Sequence, residues 1–261
     1  MIEILKSVVT EAGKTLCLLR NDKVFEGEWQ GPQFKAKADL LIHTQLTDNL
    51  RNAFPEIPVV SEEDPRSLKH IGKGRYFIID PVDGTASFIG GHNGFVTQVA
   101  CVNNGFVEAA AICAPVSKDL YWAVRRKGAY CNSRRLKIVD PDRWNTLIDN
   151  YPEPRGITRD AFEELEFKTY LESGSISLKI CRIADGSADM FFKNVPVQQW
   201  DVAAPHLVLA ESGGSLLELA GKPIDYTFYE EYKGIVAANS KAHAKRLIAW
   251  YSKHIRQRDV P

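Results

Sequence analysis

An apolar run, Tyr76-Phe77-Ile78-Ile79, leads straight into Asp80-Pro81-Val82-Asp83-Gly84-Thr85. The run reads as a buried strand, because a short apolar stretch bounded by turn residues can hide both of its faces. Its end presents two carboxylates, a glycine and a hydroxyl. Carboxylates this close in a tight turn can share a hard cation. Magnesium takes oxygen ligands from one or two carboxylates and completes its shell with water and phosphate oxygens. Gly84 allows the backbone to come close to a phosphate, and Thr85 places a hydroxyl beside the metal. The segment therefore predicts a metal-assisted phosphate site.

Length and charge narrow the setting. A chain of 261 residues makes one large domain or two smaller ones sharing a cleft. Lys+Arg and Asp+Glu are each 33, so the formal net charge is zero, which argues against a long nucleic-acid polymer as partner. Cys17, Cys101, Cys113, Cys131 and Cys181 show no C-x-x-C spacing, so they read as reduced core thiols rather than a zinc site or a disulfide framework. The first residues, Met1-Ile2-Glu3-Ile4-Leu5-Lys6, lack the apolar core of a signal peptide, and no apolar stretch is long enough to span a bilayer. The expected location is the cytoplasm.

Along the chain, apolar residues at helical spacing predict a helix over 2–20. Gly13-Lys14-Thr15 within it is not a P-loop: Val8 stands where the first glycine belongs and no strand precedes. Residues 21–34 read as a loop or weak hairpin. A second helix begins near Asp39, with Ile42, Leu46 and Leu50 on one face, and stops before Pro55. Strands are expected at 58–60, 76–80, 96–102, 106–113 and 120–124, with Asn103-Asn104-Gly105 as a hairpin turn. These make an α+β first part with an antiparallel sheet. Past Asp140-Pro141-Asp142, helices at 159–171, 177–184, 200–211 and 241–254 alternate with strands at 215–219 and 234–238, a smaller α/β part. The expected division is residues 1–140 and 141–261. Pro205 is expected in the first turns of its helix, where a missing N–H costs least.

Four acidic segments each end a strand or start a helix: Asp39, Glu62-Glu63, Asp80 with Asp83, and Asp201. Singly, each reads as a solvated acid or a cap; Asp201 alone could be an N-cap. If they converge, they form an all-oxygen cage suited to Mg²⁺.

The order of these motifs resembles the lithium-sensitive, magnesium-dependent phosphatases of the inositol monophosphatase superfamily. Glu62-Glu63 is followed by Asp80-Pro81-Val82-Asp83-Gly84-Thr85, then Trp200-Asp201-Val202-Ala203-Ala204, then Glu211-Ser212-Gly213-Gly214. The resemblance implies a layered αβαβα sandwich of the inositol monophosphatase and fructose bisphosphatase type, and a possible homodimer. It implies two or three Mg²⁺ ions held by Glu62, Asp80, the Val82 carbonyl, Asp83 and Asp201. It also implies that Thr85, paired with Asp39, orients the attacking water, with Glu62 beside them, and that the Gly84 and Thr85 amides receive phosphate oxygens.

Local features are similar to the 3′(2′),5′-bisphosphate nucleotidase branch, which acts on adenosine 3′,5′-bisphosphate. They are Val59-Val60-Ser61-Glu62-Glu63-Asp64-Pro65, Ala114-Pro115-Val116 and Ser175-Ile176-Ser177-Leu178-Lys179. Where inositol monophosphatases place a glutamate for inositol hydroxyls, this chain has Phe192-Lys193-Asn194. Lys179 and Lys193, as point charges, are the candidates for a second phosphate, with Ser177, Glu62, Asp83 and Asp201 as further substrate contacts. Ala86-Ser87-Phe88 and the flexible Gly90-Gly91-His92-Asn93-Gly94 depart from that branch, so inositol phosphates and sugar phosphates stay as alternative substrates. A non-enzymatic binding protein of this type would be expected to have lost a ligand; every acid is present here.

Overall fold

The computed structural model describes residues 1–21, 27–30 and 33–258. Helix α1 spans Ile2–Asn21 and α2 spans Lys37–Ala53, joined through a hairpin of β1 (Gly27–Gln30) and β2 (Gln33–Ala36). Part of the segment read as a loop or weak hairpin is thus a hairpin; residues 22–26 and 31–32 lie outside the described residues.

A seven-stranded sheet follows: β3 (Val59–Ser61), β4 (Arg75–Asp83), β5 (Val96–Asn103), β6 (Phe106–Ala114), β7 (Asp119–Val124), β8 (Gly128–Cys131) and β9 (Arg134–Leu136), neighbouring one another in that order. Only β3 and β4 run parallel; each later pair is antiparallel. A short helix, α3 (Thr85–Ile89), leaves the end of β4.

The second sheet has five strands in the order β11-β10-β12-β14-β13: β10 Thr146–Asp149, β11 Thr169–Glu172, β12 Met190–Lys193, β13 Ser215–Glu218 and β14 Ile235–Ala238. Parallel and antiparallel pairings mix in it. Helices α4 (Gly156–Glu164), α5 (Ile176–Ala184), α6 (Gln199–Ser212) and α7 (Lys241–Arg258) accompany it. The first sheet ends at Leu136 and the second begins at Thr146, on either side of the Asp140-Pro141-Asp142 break.

Three apolar clusters show how the layers stack. One joins Leu5, Val9 and Leu16 of α1 and Ile42 and Leu46 of α2 to Phe77, Ile79, Val99 and Cys101 on one face of the large sheet. The opposite face, with Tyr76, Ile78 and Ala100, packs on Ile180, Val202 and Val208 of α5 and α6, which also cover Ile148 and Phe191 of the small sheet. The outer face of the small sheet, with Leu147 and Met190, is closed by Ala161 of α4 and Leu247 of α7. The result is the expected αβαβα sandwich. Strand β5 explains the pattern: its successive side chains enter different cores, so both faces are dry and the run is almost wholly apolar. Helix α6 is buried on nearly every side because it lies between two sheets.

Two sequence expectations change. Residues 159–171 are not one helix: α4 stops at Glu164, and Thr169–Glu172 is an edge strand paired with β10. Pro205 lies past the first turn of α6, which starts at Gln199. Its missing N–H therefore leaves the Asp201 carbonyl without a helical donor, and the Ser177 hydroxyl lies 2.8 Å from that oxygen as a replacement.

All five cysteines are free thiols. Burial pushes Cys101 and Cys113 up to about 12, so these two are inert core residues. Among the described residues, no helix is long and apolar enough to cross a membrane.

Candidate active site

The end of β4 carries the site. In a regular strand, side chains at positions 80 and 83 would point to opposite faces. Here Asp80 pairs with Gln98 and Asp83 with Val96, so one extra residue on β4 forms a bulge. Gln98 and Val96 share a face of β5, so the bulge turns both aspartates toward the central helical layer. Pro81 fits this irregular position because it has no N–H to give to the ladder.

Each acid is fixed by a local feature. Asp80 is buried and its Oδ1 accepts from the Val82 amide at 3.1 Å. Asp83 reaches the start of α5: Ser175 Oγ donates to its Oδ2 at 2.6 Å, the Ser177 amide to the same oxygen at 2.7 Å, and the Ile176 amide to Oδ1 at 3.2 Å. A carboxylate at a helix N-terminus is stabilised by the unpaired amides and the helix dipole. Asp201 sits in the first turn of α6 and accepts from the Gln198 amide at 2.8 Å, half of a reciprocal capping box. Asp201 is therefore not the N-cap itself, which is Gln198, but the N3 member of the box.

Thr85 and Asp39 come together across the turn. Asp39, buried in the first turn of α2, has its Oδ1 3.3 Å from Thr85 Oγ1, and the Val82 carbonyl lies 3.0 Å from the same hydroxyl. The hydroxyl has one proton to give, so its lone pairs stay open to accept from a third group. Gly84 has a φ of 92°, and a Cβ there would stand 2.7 Å from the Gly94 carbonyl oxygen, so both conformation and space demand glycine.

The electrostatics show that the acids are neighbours. Burial, then the charges of Glu62, Asp83, Asp201 and Asp39, pushes the Asp80 carboxyl well above the usual carboxylate range. Burial first and Asp83 next do the same to Asp201, with Glu62 adding and Lys193 opposing. Glu62 follows Ser61, whose hydroxyl lies 2.8 Å from His43 Nδ1 and receives the Glu63 amide at 3.2 Å.

Among the described residues, no three carboxylate, imidazole or thiolate groups are spaced to hold one ion. Protein donors already occupy Asp80, Asp83 and Asp201 oxygens. The chemistry of the donor set nonetheless fits magnesium: hard oxygens only, with the most buried acid, Asp80, facing the charges of its acidic neighbours.

Other expectations need correction. Lys179 has no exposed surface, so it does not present its ammonium to a substrate. Nζ donates to the Ser173 carbonyl at 2.9 Å and to Asn150 Oδ1, and it lies 4.9 Å from the Phe191 ring centre. Burial pulls its pKa down to about 7, against the opposing charge of Asp149. The cause is its place on α5, a helix sandwiched between two sheets. Ser177 is buried as well and serves as a joint, with its hydroxyl 2.8 Å from both Gln98 Oε1 and the Asp201 carbonyl. Lys193 stays half-buried at the end of β12, close enough for its charge to act on Asp201.

Sequence reasoning missed Ser175 and Gln98. Gln98 is buried on β5, and its Nε2 donates to the Trp200 carbonyl at 2.8 Å, tying the large sheet to α6. A lone glutamine inside the run Val96–Val102 was the available signal.

Five alternating layers, an all-oxygen set of acids and Asp83 held at the N-terminus of α5 fit a metal-dependent phosphatase. A sequence profile of the inositol monophosphatase family matches residues 1–256. A 3′(2′),5′-bisphosphate nucleotidase CysQ of Shigella flexneri is 33% identical over 198 residues, covering 75% of this chain and 80% of that protein. A putative Nus factor SuhB of Neisseria meningitidis serogroup B is 30% identical over 211 residues, covering 77% and 78%. The fold is also that of the Thermotoga maritima IMPase, with a TM-score of 0.81 at 21% identity over 97% of this chain and 96% of that one. The chain belongs to the inositol monophosphatase family, and is a magnesium-dependent phosphoric monoester hydrolase.

Proposed function

We propose that this chain is a 3′(2′),5′-bisphosphate nucleotidase that removes one phosphate from adenosine 3′,5′-bisphosphate. The observation that carries the reading is Lys193. It stands where inositol-selective relatives are expected to carry a glutamate, half-buried and within electrostatic reach of Asp201. A cation there favours a second phosphate over a polyol. The likeness to CysQ relatives supports the same substrate class.

Glu62, Asp80, the Val82 carbonyl, Asp83 and Asp201 would hold the magnesium, in two or three positions. Bound there, magnesium supplies the positive charge that offsets these acids and the developing charge on the phosphate. Thr85 orients the attacking water: its hydroxyl proton goes to Asp39 or the Val82 carbonyl, and its oxygen accepts from the water. Asp39 fixes that hydroxyl and can take up the proton the water loses. The Gly84 and Thr85 amides, where α3 begins, face the phosphate oxygens. Lys193 draws the phosphate that is not hydrolysed.

The test compares kcat/KM for adenosine 3′,5′-bisphosphate and inositol 1-phosphate in the same Mg²⁺ buffer. The bisphosphate is expected to be the better substrate, and Lys193→Glu is expected to reduce its advantage by tenfold or more, the size of one charge-assisted contact. A preference for inositol 1-phosphate that Lys193→Glu leaves unchanged would establish the inositol monophosphatase reading instead.

A further inference from the structure

The β5–β6 and β7–β8 turns, the C-terminal half of α6 and residues 224–227 line an open cavity of about 570 Å³. None of the acids of the candidate active site lines it. Its volume falls within the range of roughly 300–1,000 Å³ typical of small-molecule sites.

Two arginines and two acids line it, so its formal charge balances, but the guanidinium groups and carboxylates are not paired with each other. Arg125 and Arg126 both line the cavity, and neither guanidinium has an acid partner among the described residues. Two acids also line it, but backbone amides engage them. Glu211 receives the Arg126 amide at 2.7 Å and the Gly128 amide at 2.8 Å, and Asp225 receives the Thr227 amide at 2.8 Å. Guanidinium groups that are not ion-paired keep their N–H donors for a planar or tetrahedral anion, which they can bind through paired contacts.

An aromatic surface lies beside that charge. Phe106 is 57% exposed, high for a phenylalanine, and the Arg125 guanidinium sits 4.1 Å from its ring centre. The ring and guanidinium form a platform for another planar group. On the inner wall, His206 Nδ1 lies 3.0 Å from the Tyr226 hydroxyl. Burial, helped by Arg125, draws the imidazole down to about 4, so near neutrality it is an uncharged polar group. Arg126 also has a φ of 63° in its turn. That left-handed conformation favours glycine or asparagine, so the arginine adds cost to the turn.

From this combination we infer a second ligand site, formed by Arg125, Arg126, Phe106 and His206, for a small anion bearing an aromatic ring, of the nucleoside-phosphate class. The site is independent of the active-site acids and does not rest on the substrate assigned above.

The test is calorimetric titration of the full chain with adenosine 5′-monophosphate in EDTA, which withholds the cation a phosphate needs among the active-site acids. One saturable site per chain is expected, with adenosine and inorganic phosphate each binding at least tenfold more weakly. Arg126→Asn keeps a residue suited to the turn and should weaken binding tenfold or more. The double variant Arg125→Gln/Arg126→Asn should abolish it while leaving the Tm in the same buffer within a few degrees. The inference is overturned by absence of saturable binding at millimolar nucleotide, by binding that appears only with Mg²⁺, or by binding the variants do not weaken. Equal binding of phosphate alone would remove the ring from the assignment, and equal binding of adenosine would remove the anion; either overturns the site as stated.

Discussion

Ser177 and Pro205 make a coupled pair that mutation can expose. Pro205 has no N–H for the Asp201 carbonyl, and the Ser177 hydroxyl stands 2.8 Å from that oxygen instead. Ser177→Ala removes the one donor from a pair of buried acceptors, the Asp201 carbonyl and Gln98 Oε1, each 2.8 Å from the hydroxyl, at a cost of about 1–3 kcal/mol. For a chain of this size, each kcal/mol moves Tm by roughly 2–4 °C, so the drop should be about 2–12 °C. Pro205→Ala restores the helical N–H, and with it the donor that Ser177→Ala removes. The double variant should therefore be more stable than the sum of the single changes, with a coupling of about 1–2 kcal/mol. Urea denaturation in EDTA measures all four corners of the cycle without interference from metal. Because Asp201 carries both this carbonyl and a proposed ligand oxygen, Ser177→Ala should also raise the Mg²⁺ concentration for half-maximal activity, and the double variant should recover it. Additivity within about 0.5 kcal/mol would refute the account, since the two residues would then not share one carbonyl.

Thr85→Ala should lower kcat with little change in KM, because orientation of the water is lost while the acids remain; a change confined to KM would assign Thr85 to substrate binding. Asp83→Asn should nearly abolish turnover even in excess Mg²⁺, and activity of wild-type chain persisting in chelator would refute the metal assignment. The raised Asp80 and Asp201 groups give a signed pH dependence. The folded chain holds protons that the unfolded chain releases above about pH 4, so without metal stability should fall as pH rises. Mg²⁺ should reverse this, raising Tm more at pH 8 than at pH 5; scanning fluorimetry with and without EDTA checks it, and a pH-independent increment would count against the shared cage. Lithium should inhibit turnover at fixed Mg²⁺, as the family resemblance implies, and steady-state rates in a lithium series read it directly.

The sequence alone carried the order of the acidic motifs, the apolar run that forms β4, the amphipathic faces of α1 and α2, and the family. These are local properties: they depend on neighbours within a few residues, so spacing and residue type reveal them. It could not show how Asp80 and Asp83 come to face the same way, because the bulge is defined only by pairing with Gln98 and Val96 on another strand. Nor could it separate Thr169–Glu172 from the helix before it; a four-residue edge strand is specified by its partner, Thr146–Asp149, more than by its own pattern. Lys179 shows the same limit most sharply. Its motif position suggested a substrate contact, but α5 lies between two sheets, and that layer closes over the ammonium and gives it Ser173 and Asn150 as partners. Whether a charged side chain meets solvent, substrate or the interior is set by elements distant in the chain, so only the tertiary structure decided it.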